Sequence, residues 1–124
     1  MRAVALLAVL ALSCAAVSAQ EESDRARVEG ILVQLDELSN VDLGYCDNEY
    51  PQFSAPYQAL IASPVAATLF RATRFFELES SPPDDVDRTP DEASCLASMQ
   101  KAKALFERHA TYLRRLAARL PADD

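Results

Sequence analysis

Three sets of residues in this sequence have types that could do chemistry: its one histidine, its three cysteines and a run of carboxylates around Asp85. A histidine acts as a catalytic base only beside a nucleophile and an orienting group. No Ser or Cys stands at a spacing that specifies such a set for His109, which falls in an apolar row with Phe106 and Leu113. It reads as a histidine largely buried between helices, with its pKa lowered by desolvation. Haem fits no better. There is no C-x-x-C-H attachment run, and Met99 and His109 lie on one helix, so they do not reach opposite faces of one haem. The stretch Asp85-Val86-Asp87-Arg88-Thr89 begins like a calcium loop, with side-chain oxygens at alternate positions. Pro90 then replaces the glycine that the sixth position needs, and Leu96 the carboxylate of the twelfth. With two glycines there is no phosphate-cradling loop, and with no Trp the commonest sugar-stacking platform is missing. The expectation is no catalytic residue, no metal site and no cofactor: the chain is not an enzyme.

The cysteines carry a different message. Cys14 belongs to a segment with a charged start at Met1-Arg2, an apolar run from Ala3 to Leu12, and small residues ending Val17-Ser18-Ala19. That is the layout of a secretory signal peptide cut after Ala19, with Gln20 as the first mature residue. A membrane anchor is a poorer reading, because the apolar segment is at the short limit for a bilayer and no basic cluster follows it. A rival address is a lipoprotein signal. Leu12-Ser13-Cys14 approximates a lipobox, with Ala11 at the key apolar position, and would anchor the chain through Cys14. Residues 1–19 are thus set apart from a single domain at residues 20–124, which is secreted or periplasmic and has no transmembrane segment of its own. It keeps Cys46 and Cys95. An even pair in an exported chain reads as a disulfide. Closing a loop of that length is worth about 4 kcal/mol on the chain-entropy estimate.

Composition narrows the class. The formal net charge of -7 argues against a nucleic-acid partner, which needs positive surface to displace phosphate counterions. Half of the residues are hydrophobic, so the chain has a core to build. Two glycines are too few for the turns of a sandwich or barrel. The remaining class is all-α.

The periodicity supplies the helices that would position these residues. Val28, Ile31, Leu32, Leu35 and Leu38 form one apolar stripe of a helix from Ser23 to Leu43, with Gly44 as its left-handed cap. Gly30 sits mid-helix, where close packing would account for it. Tyr45 to Pro56 is irregular and aromatic, and a short helix follows from Pro56 to Ala62. Ser63-Pro64 opens the next helix, whose core stripe is Val65, Leu69, Ala72 and Phe76, with Phe70 pointing away. Glu77 to Glu92 is an acidic linker broken by Pro82-Pro83. Thr89, with Glu92 three residues on, reads as a capping box for a last helix from Pro90 to about Leu120. Its apolar row is Met99, Ala102, Phe106, His109, Leu113, Leu116 and Leu120. Two charged rows of sevenfold spacing, Glu22, Glu29 and Asp36 on the first helix and Lys101, Arg108 and Arg115 on the last, are expected to face solvent. The expected fold is a small antiparallel helical bundle of three long helices and a short one, stapled by Cys46–Cys95.

For function, the sequence supports an exported, non-catalytic module that binds a protein or ligand, in the manner of an inhibitor or adaptor. Its candidate surface is Tyr45, Tyr50, Phe53 and Tyr57, with Phe70. A protein partner is expected, and a homo-oligomer stays open. The alternative is a periplasmic acid-stress chaperone. From Tyr45 to Leu120 the chain resembles such chaperones in general traits only: a small helical domain, acidic composition and one disulfide closing a loop of similar size.

Overall fold

A computed structural model describes the backbone of residues 2–121 and the side chains of residues 19–121. The signal-peptide pattern and the lipobox at Cys14 rest on side chains outside the described residues. The described elements are α1 (Arg2–Leu38), α2 (Leu43–Glu49), a 3-10 turn at Pro51–Phe53, α3 (Ser54–Ile61), α4 (Pro64–Phe75) and α5 (Glu92–Arg119). Among the described residues there is no strand, only an isolated bridge between Val41 and Asp87. Two helices are long, α1 and α5, and three are short.

Local capping chemistry decides where the helices break. α1 stops at Leu38 rather than Leu43. Ser39 turns its hydroxyl back onto the Leu35 carbonyl at 3.0 Å, the local bond by which serine competes with helix propagation. Asp42 then caps a new helix, accepting the Tyr45 N–H at 3.1 Å. Gly44 is therefore not a C-terminal cap. It lies in the first turn of α2 without a positive φ, and a Cβ there would meet the capping Asp42 carboxylate at 3.2 Å. The same chemistry moves the start of α5. Asp91, not Thr89, is its N-cap and accepts the Ser94 N–H at 2.7 Å. An ionised carboxylate at this position also meets the positive end of the helix dipole, which a hydroxyl does not. Ser63 caps α4 through the Ala66 N–H at 3.2 Å with Pro64 at the first helical position, as the sequence indicates. α4 ends in a Schellman pair: Leu78 N–H reaches the Thr73 carbonyl at 2.9 Å and Glu77 N–H that of Arg74 at 3.1 Å. Glu77 occupies the left-handed position this requires, at φ 54°.

The buried side chains form two clusters. The larger holds Val28 and Ile31 of α1, Val65, Ala66, Leu69 and Ala72 of α4, Phe76, and Phe106, Leu113 and Leu116 of α5. The smaller holds Val41, Cys46, Phe53, Cys95 and Met99. The sulfur atoms of Cys46 and Cys95 are 2.05 Å apart, a disulfide joining α2 to the first turn of α5. Every residue of the expected α4 stripe is buried.

Residues 76–91 form a strap fastened to the rest of the chain. Asp36 is buried and accepts bonds from the Ser80 hydroxyl and, at 2.8 Å, from the Ser81 N–H. Asp87 exchanges backbone bonds with the Asn40–Asp42 turn, both at 2.9 Å. Asp36 thus leaves the solvent-facing row in which the sequence places it, because the strap crosses over that side of α1. Glu22, Glu29, Lys101, Arg108 and Arg115 are exposed.

Candidate functional site

The aromatic surface expected around Cys46 is largely interior. Phe53 is buried in the smaller cluster, with Tyr50 and Tyr57 packed against it half-buried. Tyr45, Tyr50 and Phe53 meet edge to face, with ring centroids 6.4 Å and 6.0 Å apart. The Tyr50 hydroxyl donates to the Pro90 carbonyl at 3.3 Å, and burial followed by the neighbouring Tyr45 and Glu49 pushes its pKa up. These rings seal the disulfide end of the molecule, as an aromatic does when its polar tip finds a partner. Phe70 lies on the outer side of α4, 40% exposed, and has no ring contact with that group.

His109 is half-buried rather than enclosed. Its Nε2 lies 2.9 Å from the Gln34 amide oxygen across the seam between α1 and α5. Desolvation, then the charges of Arg108 and Arg27, hold its pKa below the usual value. Position 109 lies at the edge of the apolar stripe, where the ring packs on one side and reaches a polar partner on the other.

A polar cluster that the sequence reading passed over joins the same two helices nearer the bundle's far end. Asp24 is 5% exposed. It accepts the Tyr112 hydroxyl at 2.7 Å and a forked pair from Arg119, Nη2 at 2.8 Å and Nε at 3.1 Å. Gln20 adds a bond at 3.3 Å. Burial alone would raise the Asp24 pKa, but the bonds from Arg119 and Tyr112 outweigh it and the net direction is down. The Tyr112 phenol is pushed up to about 12 by burial and by its bond to Asp24. Arg27 lies over the Tyr112 ring, 4.1 Å from its centroid. The signal for this cluster was present: Asp24 stands four residues before Val28, in phase with the apolar stripe, where a carboxylate needs a dedicated partner.

The cluster is a latch, with both Asp24 carboxylate oxygens engaged, and Asp24 and Arg119 also line a cavity of about 440 Å³ with Phe75, Phe76 and Leu116. A larger groove, of about 560 Å³, lies between the Gln52–Val65 segment and one face of α5. Its floor is apolar: Phe53, Leu60, Val65, Met99 and Phe106. Leu96, 47% exposed, stands at one end. Lys103, Glu107 and Arg114 are the charged residues of its wall, all on α5. The residues α5 contributes run from Leu96 through Met99, Lys103, Phe106 and Ala110 to Arg114, the spacing of one continuous helical face. Size, apolar lining and a few polar groups are the attributes of a small-molecule site. Among the described residues no group of His, Cys, Asp or Glu side chains is placed to hold a metal ion, and no helix is long and apolar enough to cross a membrane. Comparison with family models, with curated proteins and with solved structures gives no match for this chain.

Proposed function

We propose that this protein is an exported, non-catalytic binding module whose ligand lies in the groove between the Gln52–Val65 segment and α5. The groove itself carries the reading: it is the largest apolar opening described and lies on the side where the disulfide braces α5. Export is supported by the signal-like segment at residues 1–19 and by the Cys46–Cys95 pair, since disulfides persist in oxidising compartments. The fold proposed for the module is an antiparallel bundle. In its support, Asp24 pairs with Arg119 while Gln34, further along α1, pairs with His109, further back along α5.

The test uses an environment-sensitive apolar dye at neutral pH. The native protein binds it with a fluorescence rise, and Ala59→Trp, which fills the groove from an exposed position on α3, removes the rise. Equal binding by both proteins, or by neither, rejects the site.

The Asp24 latch favours a second reading, a periplasmic acid-stress chaperone. Protonating Asp24 releases Arg119 and Tyr112 together and loosens α1 from α5. Protection of an aggregating client only in the carboxylate range, below about pH 4, would select it over the neutral-pH binding module.

A further inference from the structure

The shape of the groove says more about its occupant than its polarity does. Along α5 it extends from Leu96 to Arg114, which at 1.5 Å per residue is about 27 Å. Its volume of about 560 Å³ is in the range of a site for one small ligand. An extended alkyl chain can lie along that length of apolar floor. The floor suits it: Phe53, Leu60, Met99 and Phe106 present carbon and a thioether, and Met adapts its shape to an irregular apolar neighbour.

The charges fix a direction. Arg114 closes one end of the slot and forms no hydrogen bond or ion pair among the described residues. Glu107, the one acidic residue in the wall, stands two helical turns back from it, and Lys103, the other cation of the wall, one turn further back beside Glu107. At the other end, Leu96 is apolar and the Glu92 carboxylate beyond it is already bonded to Gln52 at 2.8 Å. A free cation at one mouth and an engaged carboxylate at the other suit a ligand whose single negative charge sits at one end. A guanidinium takes a carboxylate through two parallel N–H bonds.

We propose that the groove binds one free long-chain fatty carboxylate, its chain along Phe53, Met99 and Phe106 and its head group on Arg114. This rests on the binding-module reading and deepens it by naming the ligand class.

The experiment is displacement of the apolar dye, below micelle-forming concentrations, by palmitate, hexadecanol and hexadecylamine. Palmitate is expected to displace it with one-to-one stoichiometry, hexadecanol about tenfold less well and hexadecylamine least, the ratio of one charge-assisted hydrogen bond. Arg114→Glu, an exposed substitution checked for helicity by circular dichroism, is expected to lower palmitate affinity by at least about tenfold and to leave hexadecanol unchanged; Arg114→Lys should recover part of the loss. Palmitate failing to displace a dye that Ala59→Trp excludes overturns the proposal and leaves the binding module standing, as does displacement by an amphipathic helical peptide alone. An unchanged palmitate affinity in Arg114→Glu also overturns it. Failure of the dye itself removes the binding-module reading.

Discussion

Asp24 shows how one side chain can tie two helices together and set a pH limit on the tie. Its carboxylate is folded with a pKa below its ordinary value of 3.8. The contribution is complete above that ordinary value and is lost as pH falls through the lowered one. Asp24→Asn should cost about 1–2 kcal/mol at neutral pH, less than a fully buried pair, because the Arg119 side chain is 39% exposed and keeps water. Urea titration at neutral pH and again in acid checks both parts: the difference between variant and native should shrink in acid. His109 works with the same sign at higher pH. Its folded pKa is lowered from 6.5, so the folded state resists the proton and stability falls as pH drops through that value. His109→Gln keeps a partner for Gln34 and should flatten the stability curve between about pH 5 and 7; an unchanged slope would show that the ring is not the group responsible. Gly30 needs no backbone freedom and meets nothing, since a Cβ built on it has no neighbour within 4 Å. The close packing that would explain it is absent. Gly30→Ala should stabilise the protein by about 1 kcal/mol, read as a rise in the thermal midpoint.

At the scale of elements, periodicity located the helices and capping chemistry located their ends, and the two signals were not equally legible. The stripes through Val28 and Ile31, through Leu69 and Ala72, and through Leu113 and Leu116 needed only helical spacing, and all six residues are buried. The Ser63-Pro64 start was equally plain. The errors lie where two good caps compete within three residues. Thr89 and Asp91 both qualify, and the choice depends on Pro90 being fully buried under the Tyr50 hydroxyl, a contact across forty positions of sequence. Ser39 and Asp42 likewise divided one expected helix into two. Of the candidate site, the sequence pointed to the Tyr45–Tyr57 region, and Phe53 does line the groove. The opposite wall, on α5, has the same heptad pattern as any core-facing helix. Which part of that face lacks a covering partner depends on the short length of α3, which no periodicity reveals.

For the whole molecule, the disulfide fixes the site more than any single contact does. It joins α2 to the first turn of α5 at a sequence separation of 49. Both cysteines are buried, so removing the bond through Cys46→Ala with Cys95→Ala loses the loop-closure term of about 4 kcal/mol and leaves small cavities besides. A chemical denaturation midpoint shifted by much less would mean that the strap contacts alone hold the two ends together. The groove should loosen first, because Met99 and Phe53 belong both to its floor and to the cluster around the sulfurs.

The bond also makes the middle of the protein a closed ring. α2, α3, α4 and the strap lie inside it, while α1 and most of α5 are tails leaving it from adjacent points. A protease that nicks the exposed Ser81-Pro82 region opens the ring without releasing either tail. The nicked protein therefore migrates as one species without reductant and as two with it, so a cut in the outward strap costs the molecule its continuity of sequence but not its continuity of covalent structure.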